Sequence, residues 1–116
     1  MGAPFVWFDL TADDGGTVRD FYEQLLGWSF ITPTGDYHGW MIHGEQPWAG
    51  VVPAAILPVG RWIPYVPVDD LDVATTRASE LGGRIVRGAA AGPAATSVIV
   101  ADPSGGLVAL FAAAAA

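Results

Sequence analysis

The chain has 116 residues, enough for one domain with a real core and too few for two independent ones. Twelve Asp and Glu against five Arg, with no Lys, give a net charge of −7, which works against phosphate backbones and anionic membranes. With no cysteine, disulfides, thiol nucleophiles, Cys-based zinc sites and iron–sulfur clusters are all excluded.

The apolar fraction of 52% is broken by 15 Gly and 9 Pro, and no apolar run approaches the roughly 18 residues of a membrane helix. The Met1–Gly2–Ala3–Pro4 start has neither a basic segment nor a secretory apolar core, so a cytoplasmic location is expected, with no nucleic-acid and no membrane partner. The terminal alanines Ala112 to Ala116 receive no role.

In chain order, the first element is a strand over about residues 5–11. Strand alternation puts Val6, Phe8 and Leu10 on a helix-facing side and Phe5, Trp7, Asp9 and Thr11 on the other. A helix follows, with Val18, Phe21, Tyr22, Leu25 and Leu26 at i, i+3, i+4, i+7 and i+8. Asp13 or Asp14 can cap its start and Gly27 can take a left-handed stop. Three short strands are expected next, at about Trp28–Thr32, Tyr37–His43 and Trp48–Val52. Residues 54–60 read as a linker.

The pattern then repeats. Ile63 to Asp70 lines up with Trp7 to Asp14 at an offset of 56, and Leu81–Gly82 with Leu26–Gly27 at an offset of 55. In the second copy Trp62, Pro64, Val66 and Val68 take the helix-facing register, and Arg61, Ile63, Tyr65 and Pro67 the other. The second helix has a weaker stripe of Leu71, Ala74, Ala78 and Leu81, and strands are expected at about Arg84–Arg87, Thr96–Ala101 and Leu107–Phe111. The order is βαβββ, twice: module one over about 4–53 and module two over about 61–112, within a single domain of 1–116.

That order resembles the vicinal oxygen chelate superfamily, also called the glyoxalase/bleomycin-resistance/dioxygenase family. The carrying residues are Phe21–Tyr22 with Leu26–Gly27–Trp28; Trp62 to Tyr65 leading to Val68–Asp69–Asp70–Leu71–Asp72; Glu80–Leu81–Gly82–Gly83; and Asp102–Pro103–Ser104–Gly105. The resemblance implies an α+β fold, with two tandem βαβββ modules whose curved sheets surround a ligand cup and whose helices lie outside. It also implies a homodimer.

Enzymes of this superfamily usually hold a divalent ion with His, Glu or Gln on the first and last strands of each module. Carried over by position, those sites fall at Trp7, at Ile63, at Ala109 and within Ala49–Gly50–Val51–Val52, none of which has a ligating side chain. His38 and His43 lie five apart on one expected strand and so point to opposite faces. No metal and no cofactor are expected, which resembles the metal-free bleomycin-resistance branch. G-x-S-x-G, H-E-x-x-H and phosphate-cradling glycine motifs are absent, and the Asp13–Asp14 and Asp69–Asp70 pairs read as helix caps.

Of the five tryptophans, Trp28 and Trp62 read as packing residues, and Trp7 as a ligand contact because it stands where the superfamily places a metal ligand. The candidate ligand-binding set is Trp7, Asp9, Trp40, His43, Trp48, Tyr65 and Phe111. Two functions follow. The first is non-catalytic sequestration of a hydrophobic aromatic molecule, an antibiotic or other natural product, by stacking and dispersion. The second is a metal-independent isomerase, cyclase or lyase with Asp9 as acid or base. Under the first reading no residue is catalytic.

Overall fold

The computed structural model describes residues 4–31, 39–92 and 95–113. The chain divides into two compact units, Trp7–Trp62 and the part from Ile63 onward. The residues just before Trp7 belong to the second unit, where the Val6 N–H donates to the Tyr65 carbonyl at 2.9 Å. Each unit is one βαβββ module, and the protein is an α+β fold of two such repeats.

Module one comprises β1 (Trp7–Ala12), α1 (Gly15–Leu26), β2 (Ser29–Ile31), β3 (Gly39–His43) and β4 (Gln46–Pro53). Its strands lie in the order β2-β3-β4-β1, with β1 parallel to β4 and the other pairs antiparallel. The helix-facing register expected for β1 is the one observed. Leu10 and Ala12 form the core with Met41, Ala49 and Val51, and Phe8, Val18, Tyr22, Trp28, Phe30 and Trp48 pack against it.

Asp14 caps α1, accepting from the Thr17 N–H at 3.1 Å and the Thr17 hydroxyl at 2.8 Å; Gly27 ends the helix at φ 68°. The α1 stripe is only partly used. Val18 and Tyr22, one i, i+4 row, meet the core, whereas Phe21 and Leu25 stay 56% and 62% exposed.

The segment after β4 is pinned rather than loose. Thr11, fully buried, donates its hydroxyl to the Pro58 carbonyl at 2.6 Å and accepts from the Arg61 N–H at 3.0 Å. Backbone bonds from Thr11 N–H to the Arg61 carbonyl and from Gly60 N–H to the Thr11 carbonyl close the same strap. Thr11 thus spends its polar atoms on the chain that leads to the second repeat.

Module two comprises β5 (Trp62–Pro67), α2 (Leu71–Glu80), β6 (Arg84–Ala91), β7 (Ala95–Ala101) and β8 (Leu107–Ala113), with strands ordered β5-β8-β7-β6. Here β5 runs parallel to β8, as β1 does to β4, so the repeat extends to strand pairing. Asp70 caps α2 through the Val73 N–H at 3.0 Å. Leu71, Ala74 and Ala78 are half-buried, but Leu81 lies past the last helical turn and is exposed. Strand β6 runs four residues longer than the sequence implied, through Gly88 to Ala91, and β7 starts one residue earlier, at Ala95, because β-bulges let a small-residue segment stay paired.

Candidate functional site

The non-helix face of module one centres on β1. Trp7 and Asp9 sit two residues apart on it, and the Trp7 indole N–H donates to the Asp9 carboxylate at 2.7 Å. Asp9 is only 5% exposed. A buried carboxylate is costly without donors, so this short charge-assisted bond both lowers that cost and holds the indole ring in one orientation.

Strand register resolves the position that the sequence left open on β4. Asp9 pairs with Gly50, and Tyr65, its repeat counterpart, pairs with Ala109. Gly50 is therefore the module-one equivalent of Ala109. The four positions at which the resemblance places metal ligands are Trp7, Gly50, Ile63 and Ala109. None offers a side-chain lone pair suited to a divalent ion, and the described residues contain no group of three or more His, Cys, Asp or Glu able to hold one. The donor set does not fit the superfamily's metal centre.

Of the remaining module-one candidates, Trp48 and His43 are not brought to Trp7 and Asp9. Trp48 would share their face by simple alternation from Gly50. The β3–β4 register, however, shifts between Met41↔Ala49 and Ile42↔Pro47, leaving one extra residue on β4 at Trp48. This bulge turns Trp48 to the helix side, where its ring lies 4.9 Å from Trp28 and 6.3 Å from Phe8. His43 shares the strand face of the core residue Met41 and is exposed at the hairpin end. The Trp40 backbone pairs with Gly50, in line with Asp9, but its side chain lies outside the described residues, as does His38.

Trp28 and Trp62 have the packing roles expected of them. Trp28 stacks on Tyr22 at 5.0 Å and meets Trp62 edge-on at 6.5 Å, within an aromatic group that also includes Phe21.

In module two, Tyr65 and Phe111 do come together. They lie on one sheet face, with centroids 6.1 Å apart and planes tilted by 52°. Ser97 is directly opposite Phe111 on β7, and Arg87 on β6 opposes Ile99, so both belong to that face. Arg87 is half-buried. One terminal nitrogen donates to the Gly88 carbonyl at 2.7 Å and the Ser97 carbonyl at 3.2 Å; the other donates to the Ser97 hydroxyl at 2.7 Å.

Sequence reasoning missed Arg87 and Ser97. Alternation from Ser97 was available, but β6 has register shifts on both sides of Arg87, and no periodicity in Arg84–Ala91 announces them.

The fold and these faces define a paired-βαβββ protein. Residues 6–111 match the family model of the glyoxalase-like domain, and the chain belongs to that family. Among curated proteins none matches it.

Many solved structures are similar in fold, and three of them are the following. One is described as an NAD-dependent benzaldehyde dehydrogenase from Legionella pneumophila (12% identity, TM-score 0.64, 93% of this chain and 98% of that one). Another is a glyoxalase/bleomycin resistance protein/dioxygenase superfamily member from Vibrio splendidus 12B01 (15%, TM-score 0.63, 93% and 97%). The third is the Mn(II)-bound glyoxalase from Novosphingobium aromaticivorans (12%, TM-score 0.64), where 97% of this chain corresponds to 40% of the longer one. No described helix is long and apolar enough to cross a membrane.

Proposed function

We propose that this chain is a non-catalytic binding protein of the metal-free, bleomycin-resistance-like kind, which sequesters a flat hydrophobic aromatic molecule such as an antibiotic or other natural product. The observation that carries this reading is the Trp7–Asp9 pair. Where a superfamily enzyme would present a metal ligand, this chain presents an indole whose N–H is held at 2.7 Å by a buried carboxylate. A ring fixed in this way offers a stacking surface at little further entropic cost. The Tyr65–Phe111 pair supplies a second aromatic surface of the same character.

Sequestration lowers the free concentration of the compound and leaves it chemically intact. The reading places the protein in the cytoplasm, without cofactor, as the homodimer that the superfamily resemblance implies.

Native mass spectrometry tests it: the purified protein is exposed to a panel of planar aromatic antibiotics and bacterial extracts, and both the bound mass and the mass released on denaturation are recorded. An intact compound, bound and returned unchanged, is the expected result, with Trp7→Ala weakening binding about tenfold, the upper end of one aromatic contact. A released mass that differs from the input would replace this reading with the metal-independent enzyme. Turnover abolished by Asp9→Asn would then make Asp9 its acid or base.

A further inference from the structure

Five arginines stand against twelve acidic residues, so an arginine lacking a carboxylate partner has escaped an abundant supply of them. The ion pairs among the described residues are Arg19–Glu23 and Arg77–Glu80, both within single helices. Arg61 and Arg84 are exposed. Arg87 is different: it is half-buried on a sheet face, and its partners among the described residues are two carbonyls and one hydroxyl, all neutral.

A guanidinium has five N–H donors in a rigid fork. The bonds to Gly88 and Ser97 occupy three of them, both hydrogens of one terminal nitrogen and one of the other, and leave the second hydrogen of that nitrogen and Nε–H. Those bonds fix the plane of the fork, and among the described residues no carboxylate pairs with it.

The position of that charge is informative. The guanidinium lies against Ser97, whose cross-strand neighbour is Phe111, and Phe111 contacts Tyr65. Neighbouring strands are ~4.8 Å apart, so a group stacked on Phe111 with a substituent one or two strand steps away, ~5–10 Å, would reach Arg87. This is the scale of one or two fused rings bearing an acidic group.

We infer that Arg87, positioned by Ser97, is the anion-recognition group of the module-two face, and that the ligand class is a flat aromatic acid whose ring rests on Phe111 and Tyr65. This inference rests on the aromatic-binding reading above and adds the charge of the ligand to it. A charge-assisted pair in a partly desolvated setting is stronger than a neutral hydrogen bond, and it discriminates acid from neutral isostere.

The test uses matched probes: naphthalene- and anthracene-2-carboxylic acids and their neutral carboxamides, titrated by calorimetry against the full chain at low salt. The wild-type protein is expected to bind each acid at least about tenfold more tightly than its amide. Arg87→Met should remove that preference while leaving amide affinity within about twofold, and Arg87→Lys should restore part of it, since the charge returns without the fork. Ser97→Ala, which removes the hydroxyl among the guanidinium's three acceptors and leaves the two carbonyls, should lose a smaller part of the preference.

Equal affinity of wild-type protein for acid and amide would overturn the assignment of Arg87 and leave the aromatic-binding reading in place; this arm needs no variant to fold. Absence of binding by both acids and both amides would overturn the two together. An Arg87→Met protein that folds, by circular dichroism, and still prefers the acid would also overturn it.

Discussion

In module one the residue after the left-handed helix stop is Trp28; at the same place in module two it is Gly83. Trp28 stacks on Tyr22 and meets Trp48 and Trp62 edge-on, so an aromatic wedge fills the space beside α1. Gly83 has no such space. A Cβ built there would lie 2.9 Å from the Ala78 carbonyl oxygen and 3.0 Å from that of Ala101, and its own N–H donates to Ala78. One βαβββ plan therefore accommodates two solutions: bulky rings beside a helix held off the turn, or backbone in direct contact with backbone.

The difference can be broken from either side. Trp28→Ala is expected to cost about 3 kcal/mol, the lower end for losing a large aromatic because Trp28 is only partly buried. Gly83→Ala, a change of one methyl group, is expected to cost about 1–3 kcal/mol, since the atoms it meets are backbone and cannot rotate away. Urea unfolding of both variants measures the comparison. A Trp28→Ala protein within about 0.5 kcal/mol of wild type would mean that the ring group is ornament rather than packing, well below the usual cost of such a truncation.

The helix starts sharpen the same comparison at a smaller scale. Asp14 accepts both the backbone N–H and the hydroxyl of Thr17, whereas the cap bond of Asp70 is to the Val73 N–H. Replacing either with Ala should cost about 1 kcal/mol, with Asp14 the larger. Asp13→Ala and Asp69→Ala, one residue earlier, should be close to neutral; thermal melts of the four variants decide it. A loss at Asp13 equal to that at Asp14 would contradict the capping geometry.

What the sequence made legible follows from which physical signals are local. The repeat, the helix N-caps and the left-handed stop at Gly27 are short-range patterns, and the structure reproduces them. The faces of β1 were legible because six consecutive residues alternate without a bulge.

Trp48 was not legible, since one inserted residue in β4 reverses its face and nothing in Gln46–Pro53 signals the insertion. Arg87 was hidden in the same way by the shifts flanking it in β6. The strand extension through the small residues 88–91 depends on pairing to β7, a long-range property. Thr11 looked like a member of the ligand face; its role as the anchor of the inter-repeat strap appears only once Pro58 and Arg61 are brought beside it.

The smallest expected effect lies in how each module joins its last two strands. Module one closes β3 to β4 with Gly44–Glu45, where Gly44 adopts φ 64° and supplies the turn by conformation. Module two instead organises Asp102 to Gly106 around a carboxylate. Asp102 accepts from the Ser104 hydroxyl at 2.6 Å, the Ser104 N–H at 2.8 Å and the Gly106 N–H at 3.0 Å. The Ser104 hydroxyl bond, followed by the backbone N–H groups, holds the Asp102 pKa below its ordinary 3.8, with a small opposing contribution from desolvation.

A carboxylate whose folded pKa is depressed stabilises the protein fully above its unfolded value and loses that contribution as pH falls through the folded value. Asp102→Ala should therefore melt slightly below wild type at neutral pH, and the gap should narrow once the pH drops below 3.8. The side chain is fully exposed, so the gap should be smaller than that of either cap variant. Melting temperatures from neutral pH down to about pH 3, taken as wild type minus variant, measure it over the range where a carboxylate titrates. A gap that does not change across that range would mean the loop is held by its backbone bonds alone, as the Gly44 turn is, and the two modules would then close their last hairpins by the same means.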